Sequence, residues 1–345
     1  MSRWRSLHIV NDEKGEPYKT LSYCVYALPS LEALSLCSYT DYDRTSAPKC
    51  LYFVPTPNLK ALTIEGTCTI PSFLLIPQNP GFPPFLPWLQ GLTSLTLRCT
   101  SFTIGVNFCS YHLPLVLREA TNLESLTLDV SNLVISDSNP KLGRIEVPAL
   151  RRLSISSGFA REHLHRLTAP ALECLQLNVI DGSTQYNQSG AHIVEFIERS
   201  TPPLRELYIN DDVLEPVFFH KSVLSTLPEL EALTLIGMDL SEDDMRLLWA
   251  PMAGSGAWAC PRLRSFSASN APAAYFLRLL KARNPPLDSL AKPDNFTANA
   301  CARVTYIGCW LGARDMKTIA EALGSYPGRI DEAVMEVVLS KIRFM

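Results

Sequence analysis

The chain reads as an α/β solenoid, with a curved parallel β-sheet on the concave face and helices and irregular loops on the convex face. Three observations carry that reading. A pattern L-x-x-L-x-L recurs along the chain, a proline stands two places before its first leucine in most copies, and helix-like segments lie between the copies.

The repeat comes first in the argument. Nine good copies are present: PSLEALSL, PNLKALTI, QGLTSLTL, TNLESLTL, PALRRLSI, PALECLQL, PPLRELYI, PELEALTL and PRLRSFSA. Their first leucines are Leu31, Leu59, Leu92, Leu123, Leu150, Leu172, Leu204, Leu230 and Leu263, separated by 22 to 33 residues. That spacing straddles the leucine-rich-repeat range of about 20 to 29 residues, with several longer units. Two weaker copies extend the array, Trp4, Leu7 and Ile9 at the front and Val304, Ile307 and Cys309 near the end.

Within a copy, the fourth and sixth positions, such as Leu126 and Leu128, alternate with polar neighbours, as a half-buried strand requires. One unit alone cannot bury its apolar face, so stacked parallel strands sharing a continuous leucine ladder are predicted, and loss of one unit should destabilise its neighbours. The prolines are Pro29, Pro57, Pro148, Pro170, Pro202, Pro228 and Pro261. Proline lacks an N–H and has a fixed φ, so it suits the approach to a strand and is excluded from its interior. It marks where each unit turns from its convex segment into its strand.

The connectors follow. Apolar spacing predicts helices over 192–200 and 273–282, and Ser241 followed by Glu242, Asp243 and Asp244 reads as a capping box opening a third. Residues 71–87 hold six prolines, which forbids a regular helix and predicts a loop bulging from the array. The array is expected to span 1–315. Residues 316–345 carry two helical patterns split by Gly324 to Gly328, with Ile330, Val334, Val337, Val338 and Ile342 on one stripe. A helical C-terminal cap over the exposed core is the expectation, and a partner-binding amphipathic helix is the alternative.

Composition bounds the function. At 345 residues, 47% hydrophobic and 19% charged, the chain has enough apolar material for a continuous core. A formal net charge of -3 without a basic cluster argues against nucleic acid as partner, since phosphate binding needs gathered cations. No signal-like segment and no run of about 18 apolar residues appears, so a cytoplasmic or nuclear protein off the membrane is expected. The ten cysteines are scattered without a CxxC pair and read as reduced thiols. On that reading the sequons at Asn187 and Asn295 are chance matches.

No catalytic motif survives inspection. Gly254 to Ala259 formally fits a dinucleotide fingerprint, but Pro261 opens the next repeat where a helix should follow. His163 with His165, and Cys109 with His112, lack further ligands at a metal-site spacing. No enzyme activity, cofactor or metal is expected.

The proline-opened units P-x-L-x-x-L-x-L resemble the repeat region of fungal F-box and leucine-rich-repeat proteins, and SRWRSLHIV resembles the segment after the F-box. The resemblance implies a substrate-recognition module of a cullin ubiquitin ligase, docked through Skp1. The F-box of about 40 residues would stand before Met1, so the ligase link is expected only if an F-box lies upstream. The alternative is an interaction scaffold without that link.

Candidate binding residues lie on the outward strand positions. Between the fourth and sixth residues, seven of nine copies place Ser or Thr, and the exceptions are Gln176 and Tyr208. Small polar residues suit a crowded sheet without any binding role. Tyr208 with Glu206 and Asn210, beside Gln176 and Asn178, forms a cluster with an aromatic anchor and adaptable polar groups. Arg98 and Asp129 occupy matching positions one unit apart. They either meet a charged partner or pair with each other. The asparagine that many leucine-rich repeats place eight residues after the first leucine is absent, which predicts uneven curvature.

Overall fold

The computed structural model describes residues 4–11, 30–38, 58–66, 87–99, 113–130, 143–156, 164, 166–179, 189–211, 221–252, 256–269, 271–284, 302 and 304–310. The chain divides into two compact units, Met1–Leu172 and Glu173–Met345. Each is an α/β leucine-rich-repeat array whose main strands run parallel and stack in sequence order.

In the first unit the repeats supply β1 (Ser6–Asn11), β2 (Ala33–Ser38), β3 (Ala61–Gly66), β4 (Ser94–Cys99) and β5 (Ser125–Val130). The short β6 (Ile145–Glu146) follows, then β7 (Arg152–Ser156) and β8 (Leu167–Thr168). Strands β1 to β5 and β7 pair in that order without a register slip: Leu34 faces Leu62, Leu62 faces Leu95, Leu95 faces Leu126 and Leu126 faces Leu153. These leucines, and the first leucine of every copy, are almost wholly inaccessible to solvent. A buried leucine contributes roughly 1.5–3 kcal/mol relative to exposure, so the ladder is the main source of stability.

The second unit repeats the plan with β9 (Cys174–Val179), β10 (Glu206–Asp211), β11 (Ala232–Ile236), β12 (Ser265–Ser269) and β13 (Tyr306–Trp310). Here Leu175, Leu207, Leu233, Phe266 and Ile307 form the ladder in register. Both weaker copies therefore form strands: β1 pairs with β2, with Ile9 opposite Leu36, and β13 pairs with β12.

A second device fixes the register. At the starts of β2 to β5, β7 and β10 to β12 one carbonyl accepts two N–H groups from the next repeat: Glu32 and Ala33 donate to Arg5 at 2.7 and 2.9 Å, and Lys60 and Ala61 donate to Glu32 at 2.7 and 2.9 Å. Glu231 and Ala232 repeat this on Arg205, and Arg264 and Ser265 on Glu231. The chain bends into the strand at this point, and the shared carbonyl leaves neither N–H unsatisfied.

Helices fill the other side. The first unit has α1 (Pro87–Gly91), with Trp88 fully buried, and α2 (Leu113–Glu119) beside it. The second has α3 (Ser189–Ser200), α4 (Lys221–Ser225), α5 (Glu242–Trp249) and α6 (Ala273–Arg283). Helices α3, α5 and α6 stand where the apolar spacing predicts them. The capping box is formed: Asp244 N donates to Ser241 Oγ at 3.2 Å and Ser241 N donates to Asp244 Oδ2 at 2.9 Å. An aspartate performs the return bond that glutamate or glutamine usually makes.

Helices α1, α2 and α4 are too short to leave a periodic signature. The short strands β6 and β8 form a separate parallel pair, with Ile145 opposite Leu167 and Glu146 opposite Thr168. Against it lies a small apolar cavity of about 30 Å³, bounded by Leu113 and Leu117 of α2, Ile145, Leu153 and Leu167. The proline-rich loop from 71 to 86 and the expected cap over 316–345 lie outside the described residues.

One buried charge organises the second unit. Arg283, at the end of α6, is 2% exposed and donates through Nε to Leu248 O at 2.8 Å, Nη1 to Cys260 O at 3.0 Å and Nη2 to Ala259 O at 2.9 Å. Its guanidinium also lies 5.1 Å from the centroid of the Trp258 ring. Two carbonyls at the turn into β12 and one in α5 thus accept from one side chain. Cys260 holds the left-handed φ of 50° there, a conformation uncommon for a non-glycine residue. Burial pushes its thiol up to about 12, partly offset by the Arg283 charge.

Candidate binding surface on the strand face

The outward positions of each strand are the third, fifth and seventh of its copy. In the second unit the fifth positions place Gln176, Tyr208, Thr234 and Ser267 side by side, because Tyr208 registers with Gln176 on one side and Thr234 on the other. The seventh positions place Asn178 opposite Asn210, and the third Cys174 opposite Glu206. The five residues of the expected cluster are therefore brought together on β9 and β10. Gln176 and Glu206 are exposed, and Asn178, Tyr208 and Asn210 are half-buried.

The contacts within the cluster are specific. Asn210 Nδ2 donates to Asn178 Oδ1 at 2.6 Å, and Cys174 Sγ lies 3.6 Å from Glu206 Oε2 as a weak donor. Parallel strands lie about 4.8 Å apart, so side chains at one register position touch when both are of amide length. Tyr208 supplies a large ring that loses little conformational entropy when covered, the property that favours tyrosine at binding surfaces.

In the first unit Arg98 and Asp129 are adjacent in register, as expected from their matching positions. Arg98 nevertheless makes its ion pair on the other side, with Nη1 2.9 Å from Glu65 Oε1 on β3. Sequence reasoning missed Glu65, although it stands 33 residues before Arg98, the same separation as Leu59 from Leu92. The Cys37 thiol, 3.8 Å from Glu65 Oε2, extends the row. Burial, followed by the Glu65 charge, raises the Cys37 pKa, while the bond with Ser35 lowers it.

A second row also escaped notice. The residues after the first leucines, with Arg5 after Trp4, alternate in charge except at Thr93: Arg5, Glu32, Lys60, Thr93, Glu124 and Arg151 in the first unit, and Glu173, Arg205, Glu231 and Arg264 in the second. Glu32 lies 3.9 Å from Arg5 and 3.2 Å from Lys60. The asparagines that bridge neighbouring units also sit elsewhere than the usual ladder position: Asn122 Nδ2 donates to Gln90 O at 2.7 Å.

Among the described residues no three of His, Cys, Asp and Glu gather at metal-binding distance. The stretch from Gly256 to Pro261 runs through a turn into β12, with no helix where the dinucleotide fingerprint would need one. His163, His165, Cys109, His112, Asn187 and Asn295 lie outside the described residues. Cys37, Cys174 and Cys260 form no disulfide with one another. No helix among the described residues is long and apolar enough to cross a membrane.

No family model matches the chain, and no curated protein matches it. Solved structures do. One is a protein from Bacteroides fragilis, 16% identical with a TM-score of 0.36, the match covering 70% of this chain and 60% of that one. Another is an internalin from Listeria monocytogenes, 16% identical with a TM-score of 0.29, covering 76% of this chain and 80% of that one. The chain thus spans less than two thirds of the Bacteroides protein.

Proposed function

We propose that this chain is a protein-binding leucine-rich-repeat module whose outward strand face holds the partner, with Tyr208 as the anchor of the second unit. The observation that carries the reading is the register on β9 and β10, which gathers one aromatic ring, three amides and a carboxylate beside the small Thr234 and Ser267. Such a cluster supports recognition, because an aromatic anchor ringed by adaptable polar groups concentrates binding energy. Arg98 and Asp129 form a second, charged contact area on the first unit. A protein partner suits the mixed surface better than nucleic acid or a membrane. We place the chain in the cytoplasm or nucleus, and no catalytic role is part of the proposal.

The finer reading follows the resemblance to fungal F-box and leucine-rich-repeat proteins. In it the strand face selects the substrate of a cullin ubiquitin ligase, and an F-box upstream of these repeats docks on Skp1. The second reading is a scaffold with the same face and no ligase.

Affinity purification of the chain expressed from Met1 at native level, with and without Tyr208→Ala, tests both. The expected result is a set of proteins lost or depleted in the variant, since removing an anchor of this kind costs at least about 2 kcal/mol, roughly thirtyfold in affinity. Co-purification of Skp1 and a cullin supports the adaptor, and their absence alongside other partners supports the scaffold. Identical partner sets with and without Tyr208 would remove this face from the reading.

A further inference from the structure

Strand β1 pairs with β2 on one side and, among the described residues, with no strand on the other. We propose that this open edge takes an extended segment of a partner protein as one more parallel strand. The site belongs to the first unit and is independent of the Tyr208 cluster.

The direction of the backbone groups of β1 follows from the register. Ala33 and Ala61 each donate backwards along the stack, to Arg5 O and to Glu32 O, at 2.9 Å. Ser6 is the register partner of Ala33, so its N–H points the same way, off the sheet. In a parallel ladder alternate residues bond on alternate sides, so the N–H and C=O groups of Ser6, His8 and Val10 all face the open edge. The end of the leucine ladder is uncovered as well. Leu7 is half-buried and Ile9 is 8% exposed, whereas Leu34 and Leu36 on the next strand stand at 1% and 0%. Trp4 and Val10, at 49% and 50%, are exposed apolar side chains beside it. Between Ser6 and Asn11 there is no Lys, Arg, Asp, Glu or Pro, the residues that ordinarily keep a sheet edge from pairing.

The repeat itself fixes the kind of occupant. At the starts of β2 to β5 one carbonyl of the preceding strand takes two N–H groups, and Arg5 and Ser6 stand where Glu32 and Ala33 stand one repeat later. An incoming segment that continues this arrangement runs parallel to β1, offers a carbonyl at that point and carries apolar side chains at alternate positions to cover Leu7 and Ile9. A second copy paired edge to edge about a two-fold axis lies antiparallel, or parallel with its apolar face turned to the other side. It does not supply that strand, whereas an extended segment of another protein does.

The test uses the full chain and a fluorescently labelled peptide, PNLKALTIEG, the sequence of residues 57–66, which already precedes a parallel strand in this geometry. Anisotropy is expected to show saturable binding. In the fold Lys60 O accepts from the following strand, so the backbone groups of Leu62 and Ile64 face forward with it, and those of Ala61 and Thr63 face back. N-methylation of the peptide at the Leu62 position is therefore expected to cost at least about tenfold in affinity, and at the Thr63 position less than about twofold. His8→Pro removes an outward N–H on an edge strand, where proline is tolerated, and is expected to weaken binding about tenfold. Val10→Lys alters an exposed side chain and is expected to weaken it at least about threefold.

No saturable binding up to about 1 mM peptide overturns the proposal. So does a methyl at Thr63 that costs as much as one at Leu62, or binding that neither His8→Pro nor Val10→Lys weakens. Tyr208→Ala is expected to leave peptide affinity unchanged, and its loss would put the peptide on the strand face instead. Sedimentation of the chain alone tests the second copy: self-association that rises with concentration and disappears in Val10→Lys would replace the partner with another copy of the chain.

Discussion

Arg283 Nη1 donates to the backbone carbonyl of Cys260 at 3.0 Å, and this bond ties the end of α6 to the turn that starts β12. The same guanidinium holds Leu248 and Ala259, so three elements of the second unit meet on one planar cation. Lysine cannot reproduce that fork, because its donors radiate from a single nitrogen. Arg283→Leu is expected to lower stability by about 3–5 kcal/mol in urea unfolding, since three buried carbonyls lose their donor together. Arg283→Lys should recover less than half of the loss.

Cys260 links that turn to pH. Its thiol stays neutral in the fold until about pH 12, whereas its ordinary value is 9.0. A raised pKa means that the folded state holds the proton more tightly, so this contribution is complete below pH 9 and is lost as pH rises from 9 towards 12. The slope approaches about 1.4 kcal/mol per pH unit within that window. Wild type and Cys260→Ala should therefore give parallel stability curves below pH 8.5 and converge or cross above 9.5. Curves that remain parallel to pH 10.5 would refute the linkage.

The alternating charges at the strand starts of the second unit predict a salt-dependent effect. Glu231 lies between Arg205 and Arg264, one strand from each. Glu231→Lys would stack three cations at one register position and is expected to destabilise the unit by less than about 1 kcal/mol at low salt. Most of that loss should vanish at 1 M salt, where screening acts over about 3 Å. Thermal unfolding at the two salt concentrations measures it.

The architecture was legible because its signal repeats. A single L-x-x-L-x-L is weak, but nine copies at similar spacing fix the strands, their direction and their burial, down to Leu34 facing Leu62 and Leu207 facing Leu233. Helix α5 was legible because Ser241 and Asp244 carry a local code. Helix α4, five residues long, leaves no period to read, and β6 and β8 are visible only once their pairing is known. The Tyr208 cluster was readable from register arithmetic alone. The Arg98 to Glu65 pair was missed because arithmetic gives neighbours on both sides, and side-chain reach decides between them.

The doubled bond to one carbonyl per unit also bears on how such a chain changes over generations. The next strand begins at a fixed point relative to its predecessor, whatever happens between them, so a connector can gain or lose residues without moving the recognition grid. The 26-residue spacing that ends at Leu230 and the 33-residue spacing that ends at Leu263 coexist in one unit for that reason. Insertions and deletions are absorbed as scenery behind the sheet, while the face itself changes one letter at a time.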